Sequence, residues 1–162
     1  MAELKIGSDT INSQVSTMPK LDMNADIVKL DLPANHKYLN ILGVCITALV
    51  ERVEGLDDPQ ITAYNLDLAV HEACTNIVRH AYANEADGRI EVTLTLERHP
   101  SKLILDLYDT GQSFDPEKSK KPSLDKPQVH GYGLFLMEEL LDNVIYNSHS
   151  GRNHWRLVKH LA

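Results

Sequence analysis

Arg89–Gly111 reads RIEVTLTLERHPSKLILDLYDTG, and both halves of this stretch alternate between apolar and polar residues. In the first half Ile90, Val92, Leu94 and Leu96 share one face, and in the second Leu103, Leu105 and Leu107 do. A period of two marks strands with one buried face. His99-Pro100-Ser101 lies between them, so the pair is expected to form an antiparallel hairpin. The second strand ends on Asp109, with Gly111 two residues on. That pattern places one carboxylate at the rim of a sheet, where a glycine lets backbone come close to a ligand.

Working outward, Asp26–Leu32 is a further strand, with Val28, Leu30 and Leu32 on one side and Pro33 as its end. Asn35 suits the N-cap of a helix whose stripe is Leu39, Leu42, Ile46, Leu49, Val50 and Val53. Gly55 and Asp57-Asp58-Pro59 supply the stop and turn. A second helix is expected from about Ile61 to Ala83, with Leu66, Val70, Ala73 and Ile77 as its core stripe. A third begins near Gly131 and ends near Asn143, and two strands follow, Val144–Asn147 and His154–Leu161, joined at Ser150-Gly151. Thr110–His130 reads as a loop carrying Pro116, Pro122, Pro127 and lysines 118, 120, 121 and 126. A loop of that length inside a small domain is more often functional than accidental. The order β-α-α-β-β-loop-α-β-β implies an α+β two-layer sandwich with the helices on one face of the sheet. Residues 1–24 show no sustained periodicity and read as a flexible lead-in, ordered only by docking onto the domain or a partner, leaving 25–162 as the domain.

At 162 residues the chain has room for one domain. Its 23 acidic against 16 basic residues give a net charge of −7, which disfavours nucleic acid or anionic lipid as the main partner. No apolar run approaches the roughly 20 residues that span a bilayer. The N-terminal MAELKIGSDTINS lacks the character of a signal peptide, so a cytoplasmic location is expected. Cys45 and Cys74 both fall in helical patterns and are expected as reduced thiols.

Three segments carry chemistry. In His71-Glu72-Ala73-Cys74-Thr75-Asn76, Glu72 and Asn76 stand four apart and share a helix face at the border of the buried stripe. A carboxylate and an amide carbonyl so placed are two oxygen ligands for a hard divalent ion, or a base beside an ion ligand. Taken alone, such a pair is more often an ordinary polar pair on a solvated helix. Leu107-Tyr108-Asp109-Thr110-Gly111 offers an acceptor for an exocyclic amine such as that of adenine, although Asp-x-Gly is also common turn chemistry. Gly131-Tyr132-Gly133-Leu134 opens the third helix, where backbone N–H groups and the helix dipole suit phosphate. Neither a dinucleotide fingerprint nor a Walker A sequence is present. His80 falls about 40° from the centre of the core stripe at helical spacing and is expected to be packed or hydrogen-bonded, not part of the site. His149, His154 and His160 do not meet zinc-ligand spacing. Trp155 is expected to pack in the last strand, and Cys74 to be a buried thiol.

In this order the three segments resemble the N, G1 and G2 boxes of the GHKL ATPases and kinases. The nearer likeness is to the anti-sigma-factor serine kinases, the RsbW-like group. It is carried by Leu68–Tyr82 (LAVHEACTNIVRHAY), Ser113-Phe114-Asp115-Pro116, Gly133–Met137 and Gly151-Arg152-Asn153. Ser113 stands where many members have a second glycine, and His130 where an arginine or glycine often stands. The resemblance implies a Bergerat-type, histidine-kinase-like ATPase fold with a mixed sheet. It implies that Asn76 holds Mg²⁺ on ATP and that Glu72 is the general base for a protein serine. Asp109 would bind the adenine amine, and Gly111 would let the base approach. Gly131, Tyr132, Gly133 and Leu134 would bind the cofactor, with the two glycine amides cradling phosphate and the preceding loop acting as a lid. The function implied is an ATP- and Mg-dependent serine-protein kinase and anti-sigma factor. It would act in a partner-switching system on a STAS-domain anti-anti-sigma protein, bind a sigma factor and form a homodimer. The alternative is a nucleotide-dependent binding switch with little turnover.

Overall fold

The computed structural model describes residues 4–6, 25–83, 87–115 and 132–161. Its elements in chain order are β1 (Leu4–Ile6), β2 (Ala25–Pro33), α1 (Leu39–Val50), α2 (Pro59–Asn76), β3 (Arg89–Arg98), β4 (Ser101–Asp109), α3 (Tyr132–Leu140), β5 (Asn143–His149) and β6 (Arg152–His160). Among the described residues the strands form one sheet in the order β1-β5-β6-β4-β3-β2. From β5 to β2 all pairs are antiparallel, and β1 joins β5 in parallel. The sheet is therefore mixed and the fold α+β, as the order of elements implies. Leu4–Ile6 is a strand inside the lead-in that three residues of alternation are too few to announce.

Register explains how one face becomes the core. Val28, Leu94, Leu105, Leu157 and Val144 stand opposite one another in a row across five strands. All but half-buried Val28 are buried, together with Leu66, Val70, Ala73 and Ile77 of the second-helix stripe. Burial of such side chains stabilises by about 1.5–3 kcal/mol each. Local chemistry sets the helix starts. Asn35 Oδ1 accepts from Lys37 N at 3.1 Å ahead of a short turn leading into α1. Asp58 Oδ1 accepts from Ile61 N at 3.2 Å, with Pro59 in the first turn of α2. Ser150 and Gly151, with φ of 51° and 77°, make the tight β5–β6 turn.

The opposite face of the sheet carries a polar cluster. Asp106 accepts hydrogen bonds from Arg156 Nε at 2.8 Å and from Arg156 Nη2 at 3.0 Å, and pairs with His154 Nε2 at 2.6 Å. Burial pushes the Asp106 carboxyl up, but the hydrogen bonds from His154 and Arg156 outweigh it and hold the group below its usual range. His154 stacks on Tyr108, with ring centroids 4.3 Å apart. Among the described residues no helix is long and apolar enough to cross a membrane. Cys74 is buried and Cys45 half-buried, both as free thiols. Burial, aided by the charge of Asp67, pushes the Cys74 thiol up to about 12, so it stays protonated and unreactive.

Candidate active site

The site begins on α2. Leu66, Val70 and Ala73 fix the rotation of the helix by facing the sheet, which leaves Glu72 and Asn76 half-buried at the edge of the core. Neither side chain has a hydrogen bond or ion pair among the described residues, so both retain oxygen lone pairs for another partner. Thr75 Oγ1, between Cys74 and Asn76, is buried and also without a partner there. The start of α3 comes directly against Glu72: a Cβ on Gly133 would lie 2.7 Å from Glu72 Oε2. Helix α3 thus delivers its N-terminal turn to the carboxylate on α2. Tyr132 and Leu134 flank this contact half-buried, with Leu134 packed on the core.

Asp109 ends β4 at 3% exposure. Its Oδ1 accepts from Gly111 N at 2.9 Å and from Asn153 Nδ2 at 2.7 Å. Burial raises the Asp109 carboxyl above its usual range, against the two hydrogen bonds, which favour the charged form. Asn153 also donates to Gly111 O at 3.0 Å and accepts from the Tyr146 hydroxyl at 3.1 Å. That hydroxyl in turn accepts from Phe114 N at 2.7 Å. Phe114, Tyr146 and Trp155 pack around it with ring centroids 4.8–5.5 Å apart.

Asn76, Ile77, His80, Asp109, Phe114 and Trp155 line a common pocket. Residues of the first and second sequence segments, 33 positions apart, therefore meet in one cleft. His80 corrects an expectation: it is exposed and lines this pocket instead of packing in the core. The cause is a π-helical turn over Ile77–Ala81, closed by Tyr82 N donating to Ile77 O at 3.2 Å. The wider i→i+5 turn breaks the ~100° step per residue on which the prediction relied. The same turn meets the loop after Asp109. A Cβ on Gly111 would lie 2.4 Å from Ala81 O, and Gln112 N donates to that carbonyl at 2.8 Å. The close approach that demands glycine here is to the protein's own backbone. Gly131, His130 and the lysine-bearing loop lie outside the described residues.

Sequence reasoning missed Asn153 and Tyr146 as site residues. The signal was present in β6, where Asn153, Trp155 and Leu157 alternate onto the buried face. An asparagine in such a series requires buried polar partners. The pocket has apolar and aromatic walls, one buried carboxylate whose Oδ2 has no partner among the described residues, and at its edge the Asn76 amide, also without a partner among them. Those features fit an adenine nucleotide, with the amide oxygen of Asn76 as a hard donor of the kind Mg²⁺ takes and the carboxylate of Glu72 one helical turn away.

Residues 32–159 match the family model of the histidine kinase-like ATPase domain. The chain is 34% identical over 136 residues to the serine-protein kinase RsbW of Bacillus subtilis (strain 168), covering 79% of this chain and 82% of that protein. It is 31% identical over 140 residues to RsbW of Bacillus velezensis, covering 81% and 84%. Against RsbW of Listeria monocytogenes serovar 1/2a it is 32% identical over 131 residues, covering 74% and 78%. The family match includes α2, β4, α3 and β6 as far as residue 159. The chain belongs to the histidine kinase-like ATPase family, in the branch of the RsbW serine-protein kinases.

Proposed function

We propose that this protein is an ATP-dependent serine-protein kinase and anti-sigma factor that phosphorylates a STAS-domain anti-anti-sigma partner. The observation that carries this reading is the convergence of Glu72, the α3 N-terminus at Gly133, and the pocket shared by Asn76 and Asp109. Asp109 accepts the adenine amine through its open oxygen. The first turn of α3 presents N–H groups and a positive dipole end to phosphate. The Asn76 amide oxygen would hold Mg²⁺, which when bound would neutralise phosphate charge. Glu72 takes the proton of the attacking serine hydroxyl, a role that suits a carboxylate with no ion pair among the described residues. Relatives named serine-protein kinase RsbW support the reaction class.

The acidic surface, at a net charge of −7, favours control of transcription through protein contacts over direct DNA contact. Sigma-factor binding and homodimer formation complete the proposal. It is tested by mixing the full chain with Mg-ATP and a STAS-domain partner and assaying phosphoserine. Transfer supports the kinase. Nucleotide binding that Asp109→Asn weakens, without transfer, identifies a binding switch. Absence of nucleotide binding overturns both.

A further inference from the structure

Asn153 is 1% exposed, and its amide is locked in one orientation by its neighbours. The Tyr146 hydroxyl accepts the Phe114 N–H at 2.7 Å, so its own proton is left to donate to Asn153 Oδ1 at 3.1 Å. That fixes Nδ2 on the other side, against Asp109 Oδ1 at 2.7 Å. The same Oδ1 already accepts from Gly111 N at 2.9 Å. Two N–H donors fill the two lone pairs of one carboxylate oxygen. Asp109 Oδ2 alone has no partner among the described residues, so the buried carboxylate has one open acceptor for a ligand in the pocket it lines.

One open acceptor discriminates between purines. Adenine offers an amine donor beside a ring acceptor, and a single oxygen satisfies the amine. Guanine offers two adjacent donors, N1–H and the 2-amine, which a carboxylate reads well only with both oxygens. Its 6-oxo group has no donor to offer. We propose that Asn153 is the positioning residue that sets base selectivity: by closing Oδ1 of Asp109 it restricts the pocket to adenine nucleotides. This rests on the nucleotide-binding reading of the site and names how that site rejects guanine. Burial already works against the ionised form of Asp109, and loss of the Asn153 hydrogen bond adds to that effect.

The test uses the full chain and titrates ADP and GDP by calorimetry from pH 5 to 8. Wild type is expected to favour ADP by about 100-fold or more at pH 7.5. In Asn153→Ala the preference is expected to narrow by about tenfold or more, with GDP gaining relative to ADP. The pH at which ADP binding changes should also move upward. Tyr146→Phe removes the hydroxyl that orients the amide while keeping Asn153 buried. It should narrow the preference several-fold, and it carries the test if Asn153→Ala does not fold. Equal weakening of both nucleotides, or an unchanged ratio in folded variants, would show only a scaffolding role and overturn the proposal. If wild type binds neither nucleotide, or Asp109→Asn binds ADP as wild type does, the nucleotide-binding reading itself is what fails.

Discussion

Gly133 approaches Glu72 so closely that a methyl group on its α-carbon would sit 2.7 Å from the carboxylate oxygen Oε2. Gly111 is tighter still, but against the backbone carbonyl of Ala81, at 2.4 Å for the same added carbon. These two glycines therefore meet different obstacles, one a mobile side chain and the other a fixed chain.

Gly111→Ala is expected to destabilise the domain by about 1–3 kcal/mol, because the π-helical turn and the loop after Asp109 must separate. Urea unfolding of the full chain measures it. A shift in midpoint without a change in slope is the expected form of the loss.

Gly133→Ala is expected to cost less than about 1 kcal/mol, since Glu72 can swing aside. Phosphotransfer should nevertheless fall about tenfold or more, because the carboxylate leaves its place beside the first turn of α3. Parallel melting curves and phosphoserine assays separate the two effects.

These contacts also mark where the sequence was legible. The stripe Leu66, Val70, Ala73 and Ile77, the strand alternation and the rim position of Asp109 follow from periodicity, because each depends on local spacing alone. His80 did not follow, since nothing in Ile77–Ala81 announces the switch to i→i+5 bonding that turns it into the pocket. For Asn153 the alternation of β6 announces burial but not partners, and for Tyr146 neither is announced. Their role depends on the β4–β6 and β5–β6 registers, which put Asn153 opposite Asp109 and Tyr146 opposite Trp155. Leu4–Ile6 likewise gains meaning only from its register with Val144–Tyr146.

Asp109→Asn is expected to lower ADP affinity by about 10- to 100-fold, the loss of a charged hydrogen bond in a buried site. Its effect on stability has the opposite sign. Burial raises the folded-state pKa of Asp109 above its unfolded value, so at pH 7 the buried charge costs stability, and that cost falls away as pH drops through the folded pKa. The variant should therefore match or exceed the wild-type melting temperature at pH 7 and lose that advantage in acid. Thermal melts from pH 4 to 8 measure the trend.

Asp106 behaves conversely. Its folded pKa is depressed by His154 and Arg156 despite burial, so its contribution is present above the unfolded value of about 3.9 and is lost as pH falls through the folded one. Asp106→Asn should cost about 1–3 kcal/mol at pH 7 and much less near pH 2. Urea midpoints across that range test the sign.

Glu72→Gln keeps the shape of the side chain beside Gly133 and removes only its basicity. The most direct measurement is the single-turnover rate of phosphoserine formation on a STAS-domain partner at saturating Mg-ATP, for wild type and this variant. The expected result is a rate lower by about 10²–10⁴-fold with ADP affinity within about threefold of wild type. Equal rates in the two proteins would contradict the assignment of Glu72 as the base.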